Sequence, residues 1–293
     1  MVAGLVVLVG SYVGFVLTTT GQALENSALR GADQVSASSL AEADATLDAI
    51  TVGSLAVACV VIAVVCLIRR SLALAVAAVG IIAAGQVLTQ GLKRVVLSRP
   101  ALVEASPDYT GNSFPSGHTT IALTVLAAVL LVVPYRWRGF ALFLVAGWAT
   151  SIGAYTLTAK WHRLSDTLGA AGVMLVVASL AALWLHRQGL VRTVAGRPRR
   201  GRILLVVVPL TLLVVAGLSL GGFLLAATDD ALAADPIDEY NVYLALQTIA
   251  GAGSAAAALA LWWSWHRLEV VPRRHPHVQP TDRQGAERDA GYQ

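Results

Sequence analysis

Eight stretches of this chain carry no Asp, Glu, Lys or Arg and are long and apolar enough to be read as membrane spans. They cover residues 2–20, 49–68, 71–92, 118–134, 139–158, 167–185, 203–228 and 240–265. The hydrocarbon core of a bilayer is about 30 Å thick, which a helix crosses in roughly 20 residues. Inside lipid every backbone N–H and C=O must find its partner within the protein, so long apolar segments of this kind fold as helices. Composition points the same way. Hydrophobic residues make up 56% of the 293 positions and charged residues 13%, with a mean hydropathy of +0.69. A soluble domain carries about 25% charged residues. The expectation is an all-α integral membrane protein. The stretch 118–134 is the shortest and opens on polar residues. Residues 2–20 lack the positive lead-in of a signal peptide and are read as a span.

The basic residues set an orientation. Fifteen of the twenty-one lie at one set of span ends: Arg69, Arg70, Arg136, Arg138, six arginines from Arg187 to Arg202 and five from Arg267 to Arg288. That side is read as cytoplasmic and holds both termini. The opposite side carries thirteen of the seventeen acidic residues, in large part in two loops, 21–48 and 229–239. Leu40, Ala43, Leu47 and Ile50 recur at helical spacing in the first loop, which predicts a short surface helix there. The basic residues form no single stripe, so the formal charge of +4 is not read as nucleic-acid binding. Cys59 and Cys66 share one apolar stretch, which excludes a disulfide framework, and no zinc-ligand spacing occurs. No metal or cofactor is expected. Two lysines against nineteen arginines, with abundant Ala and Val, suggest a bacterial plasma membrane.

Six basic residues remain on the outer side, against the positive-inside rule: Arg30, Lys93, Arg94, Arg99, Lys160 and Arg163. Two readings account for five of them. One is an anion held at the outer surface; the other is anchoring to lipid headgroups by snorkelling side chains. His118 and His162 lie on the same side, and the other four histidines do not. Imidazole is the usual side chain for moving protons or attacking phosphorus near neutral pH.

Three segments carry the candidate chemistry. In Lys93-Arg-Val-Val-Leu-Ser-Arg99-Pro100, the proline ends the helix and biases Arg99 toward extended backbone. Its guanidinium suits a phosphate, and Lys93 adds a point charge. In Asn112-Ser-Phe-Pro115-Ser116-Gly117-His118, a helix start leaves the amides of Ser116, Gly117 and His118 as open donors in a favourable dipole field. A Pro-Gly turn capped by Ser explains the same residues without a ligand. In Lys160-Trp-His162-Arg-Leu-Ser-Asp166, His162 and Asp166 stand at i and i+4 on one helical face. The carboxylate there fixes the imidazole tautomer and leaves the other nitrogen free as a nucleophile. A plain surface pair at a helix start is the alternative. The topology brings all three segments to one side of the membrane.

Together these segments resemble the type-2 phosphatidic acid phosphatase superfamily, the membrane lipid phosphatases related to vanadium haloperoxidases. The family pattern is a Lys followed after six residues by Arg-Pro, then Pro-Ser-Gly-His, then Ser-Arg, five residues, His, three residues and Asp. The second motif is complete at Pro115–His118, and the third retains His162 and Asp166. Arg99-Pro100 matches the first, but only five residues separate Lys93 from Arg99, so Leu92 stands at the family's Lys position. Tyr155-Thr156 replaces Ser-Arg, so one phosphate-holding arginine is missing. The resemblance covers about residues 49–185.

The resemblance implies metal-independent hydrolysis of a lipid phosphate or pyrophosphate monoester. His162 would form a phosphohistidine, His118 would protonate the leaving oxygen, and Asp166 would orient His162. Arg99, Lys93, Ser116 and Gly117 would hold the phosphate oxygens. Lys160, one of only two lysines, is a candidate replacement for the missing arginine, with Arg163 as the alternative. The implied architecture is a six-span phosphatase core at 1–186, a basic cytoplasmic linker at 187–202, two additional transmembrane helices at 203–266 and a disordered cytoplasmic tail at 267–293. The expected partners are a lipid phosphate substrate and membrane lipids; the oligomeric state stays open. A non-catalytic lipid-phosphate binding protein or a transporter is the competing reading. A transporter places polar groups near the midplane, where only Gln86, Gln90 and Gln247 are candidates.

Overall fold

In the computed structural model, whose described residues are 1–104, 111–195, 200–228, 231–232 and 234–271, almost every apolar stretch is a helix. The order is α1 (Val2–Ser11), α2 (Thr19–Gly31), α3 (Ala37–Asp48), α4 (Val52–Ile68), α5 (Leu72–Gly91), α6 (Gly117–Val132), α7 (Arg138–Thr158) and α8 (Leu164–Arg187). Then follow β1 (Val191–Thr193), α9 (Arg200–Arg202), α10 (Val208–Ala226), α11 (Pro236–Trp265) and β2 (Leu268–Val270). Side-chain caps set many starts. The hydroxyls or carboxylates of Thr18, Ser36, Thr51, Ser71, Ser116 and Asp235 accept first-turn amides that would otherwise be unpaired.

The eight expected spans need correction in length. Five helical runs are long and apolar enough on their own: Leu72–Val96, Arg138–Thr158, Leu164–Arg187, Arg200–Ala226 and Pro236–Trp265. The first span is not 2–20. It stops at Val16 after a wide π turn, Tyr12–Val16, and the chain bends by 84° into α2. Thr18 causes the break, because its side chain caps α2 at Gly21 N. α4 follows α3 through a 55° bend, and α6 is only 16 residues long. The loop 21–48 is therefore mostly helical. α3 is the expected surface helix, with Ala43 and Leu47 buried, whereas α2 has no counterpart in the expectation.

Small residues let the helices approach closely. A Cβ on Gly172 of α8 would lie 2.7 Å from the Gly4 carbonyl oxygen of α1. One on Gly85 of α5 would lie 2.7 Å from the Thr124 methyl of α6. The two C-terminal helices differ in environment. α10 has only 11% of its apolar window buried, whereas α11 has 56% and packs along α2, α7, α8 and α10. Gln247 of α11 donates to Thr158 Oγ1 at 2.7 Å, the packing role open to it at the sequence level.

The end of the bundle rich in arginine is closed by a two-stranded antiparallel sheet. β1 from the basic linker pairs with β2, with Arg192 opposite Glu269. Arg138, 1% exposed, donates to the carbonyls of Trp265 and Leu268, and Arg202 stacks on the Tyr135 ring at 3.5 Å. Of the expected tail 267–293, Leu268–Val270 thus form an ordered strand, and the stretch from 272 lies outside the described residues.

Candidate active site

At the opposite end, the C-terminus of α5 and the N-termini of α6 and α8 converge. α5 runs on as a π turn, Leu92–Val96, before the chain leaves in extended form at Leu97. The following segment is held from outside. Tyr12 donates to the Ser98 carbonyl at 2.6 Å, and Gln22 donates to Pro100 O and accepts from Leu102 N. α2 thereby fixes Arg99. Asn112 donates to the carbonyls of Lys93 and Leu97 at 2.9 Å, tying the second segment to the first.

Phe114 is fully buried against Gly169, where a Cβ would lie 2.5 Å from its ring. That contact seats the Phe114–Ser116 turn on α8, and the Ser116 amide donates to the Asp166 carbonyl at 2.9 Å. Of the three amides read as open, Ser116's is therefore taken, and its hydroxyl serves as the cap of α6 by accepting from Thr119 N. Gly117 and His118 begin the helix, and their amides have no protein partner among the described residues.

The third segment supplies the ionisable pair. His162 Nδ1 lies 3.2 Å from Asp166 Oδ2, and both side chains are buried. The same carboxylate oxygen accepts the Arg163 amide at 2.9 Å, so a backbone donor fixes it independently of the histidine. With the carboxylate ionised, Nδ1 carries the hydrogen and Nε2 keeps its lone pair. The His118 ring stands 6.0 Å from the His162 ring, centroid to centroid, and packs edge-on against Trp161 at 5.1 Å.

A cavity of about 180 Å³ opens here, lined by Asn112, Ser113, Lys160, Trp161, His162 and Arg163. Arg163 is 5% exposed and donates to Ser113 Oγ at 3.1 Å. Lys160 sits at the turn between α7 and α8 with φ 58°, and its ammonium forms an ion pair with Asp33. Left-handed backbone on a lysine is a strained arrangement of the kind found at functional sites. Thr156, where the family has arginine, is fully buried and directed inward: its hydroxyl donates to the Gly153 carbonyl and meets Thr167 Oγ1 at 3.4 Å.

The charge of Lys93 acts on Asp166 and on His118 through space. Lys93 itself lies within the wide turn Leu92–Val96. A π turn breaks the regular progression of about 100° per residue, so linear spacing no longer fixes azimuth. One residue absent from the candidate set at the sequence level is Glu25 on α2. Its side chain is completely buried, contacts Arg99 Nη2 at 3.1 Å and accepts the Ser165 amide at 2.8 Å. The polar residues Gln22, Glu25 and Asn26 share one face of α2, a periodicity visible in the sequence. The described residues contain no cluster of three or more His, Cys, Asp or Glu able to hold a metal.

The grouping is an imidazole bonded to a buried carboxylate, a second imidazole facing it, first-turn amides and buried cations. Such a site can take an anionic phosphorus centre. Residues 71–190 match the family model described as the PAP2 superfamily, whose members are in general phosphatases. No curated protein and no solved structure matches the chain.

Proposed function

We propose that this protein, whose residues 71–190 match the PAP2 superfamily model, hydrolyses a lipid phosphate or pyrophosphate monoester through a phosphohistidine, without a metal ion. The observation that carries the reading is the His162–Asp166 pair facing His118 across 6.0 Å. His162 Nε2 attacks phosphorus as the bond to the leaving oxygen breaks. His118 gives that oxygen a proton. In the second half, water attacks the phosphohistidine, and His118 takes back a proton as inorganic phosphate leaves. Asp166 holds the imidazole and stabilises its positive charge.

Arg99, Lys93, Gly117 N and His118 N hold the phosphate oxygens in this reading. Arg163 supplies the cation that Thr156 cannot, because it is buried at the cavity wall beside His162, whereas Lys160 is engaged at the rim by Asp33. Ser116 shapes the turn. The catalytic end faces away from the arginine-rich end, and the positive-inside rule makes that outer end extracytoplasmic. A substrate there leaves its tail in the bilayer and presents its phosphate at headgroup level.

Phosphate release by purified protein from a panel of lipid phosphates tests the reading. Wild type releases phosphate, a chelator leaves the rate unchanged, and His162→Ala abolishes turnover while the protein still inserts. Full activity of His162→Ala sinks the mechanism. Orientation is checked by labelling Gly111→Cys and Gly201→Cys, both open positions, with Cys59 and Cys66 replaced by Ala. Labelling of position 111 only from the cytoplasm would reverse the topology.

A further inference from the structure

We propose that Glu25, from the N-terminal helix α2, is the positioning residue for Arg99 and so a working part of the phosphate site; this rests on the phosphatase reading above. The carboxylate bridges two elements that the reaction needs in register. One oxygen contacts Arg99 Nη2 at 3.1 Å, and the other accepts the Ser165 amide at 2.8 Å, in the first turn of the helix that carries Asp166. Both side chains of the ion pair are buried, at 5% and 0% exposure. A charge in such a place is costly unless paired, so its presence calls for a role.

The geometry of Arg99 supplies that role. Nη2 is held by Glu25, while Nη1 is buried and without a partner among the described residues. A buried guanidinium nitrogen with no acceptor is a donor awaiting one. Holding one arm of the fork fixes the plane of the other, and Arg99 then meets an incoming phosphate oxygen already oriented.

The placement of Glu25 does not depend on its own ion pair. α2 and the turn that follows it are fastened to α11 by the Arg30–Glu239 salt bridge, by Gln34 of that turn donating to Pro236 O at 2.7 Å, and by Gly31, which lies against the Glu239 backbone. The C-terminal helix, outside the matched segment 71–190, thereby braces the helix that orients an arginine inside it.

Vanadate, a mimic of five-coordinate phosphorus, is the probe, and calorimetric titration of the purified full-length protein is the readout. It needs no turnover and no knowledge of the lipid. Glu25→Gln keeps an acceptor for Ser165 N but turns its amide nitrogen toward Arg99. We expect vanadate to bind roughly tenfold or more weakly, as for the loss of one charge-assisted hydrogen bond. In an Arg99→Lys background, which removes the fork, Glu25→Gln should add little further loss. A merely structural carboxylate would give additive losses. Wild-type affinity in Glu25→Gln, tighter binding, or full additivity with Arg99→Lys each overturns the proposal. If Glu25→Gln does not fold, Glu25→Asp carries the same test, since it keeps the charge but draws it back from Arg99. Absence of any saturable vanadate heat in wild type would instead overturn the phosphate-site reading itself.

Discussion

Asp166→Asn tests how the nucleophile is prepared. Two bonds of the carboxylate go to one oxygen, Oδ2, which accepts the Arg163 amide at 2.9 Å and His162 Nδ1 at 3.2 Å. A backbone amide can only donate, so an asparagine here must place its oxygen, not its nitrogen, at that point. The same oxygen then still accepts from His162, and the productive tautomer survives. What is lost is charge. A unit charge 3.2 Å from the imidazole, at an effective dielectric near 20, is worth about 5 kcal/mol when the ring becomes positive. The amide dipole recovers part of this, which leaves a deficit of about 3–4 kcal/mol, or a rate lower by roughly a hundred- to a thousandfold. Asp166→Ala loses the orientation as well and should be slower by at least roughly a further tenfold. The assay is single-turnover phosphate release from a lipid phosphate, with vanadate affinity as a check that the site persists. An Asn variant as slow as the Ala variant would show that the Arg163 amide does not hold the tautomer. An Asn variant within about threefold of wild type would show that the negative charge is not used.

Two further outcomes follow from the packing. Arg163→Ala should lower kcat/KM roughly a hundredfold, the effect of losing one preorganised cation, while Lys160→Ala, which breaks a rim ion pair, should change it by less than about fivefold; a larger loss for Lys160 would reverse the assignment. Gly172→Ala should lower thermal stability in detergent by about 1–3 kcal/mol, because its Cβ meets the α1 backbone, whereas Gly147→Ala on an open face of α7 should not destabilise; equal melting temperatures for the two variants would refute the close contact.

The amino-acid sequence by itself determined the fold class and the gathering of the motifs at one end. Helix formation in an apolar medium depends on unbroken hydrophobicity, which is a property of neighbours along the chain. His162 and Asp166 were readable as a pair from their spacing, but not on one helical face: His162 precedes the N-cap Arg163 of α8, and Asp166 in the first turn reaches back to it. The resemblance to lipid phosphatases, carried by Arg99-Pro100, Pro115–His118 and the His-Asp pair, was placed over about residues 49–185, and the superfamily model matches 71–190.

What only the tertiary structure decided lies between residues far apart in sequence. Glu25 meets Ser165 across 140 positions and Arg99 across 74, and no periodicity in α2 names those partners. The preference proposed for Arg163 over Lys160 rests on Asp33, 127 residues away, which pairs with the lysine. Lys93 lies inside the π turn Leu92–Val96, so its direction relative to Arg99 is not readable from linear spacing at constant helical pitch. α11 read as an appended span because hydropathy measures how apolar a helix is, not what it touches. Its burial against α2, α7 and α8 follows from shape, with Gly31 and Gly153 leaving the room that larger residues would fill.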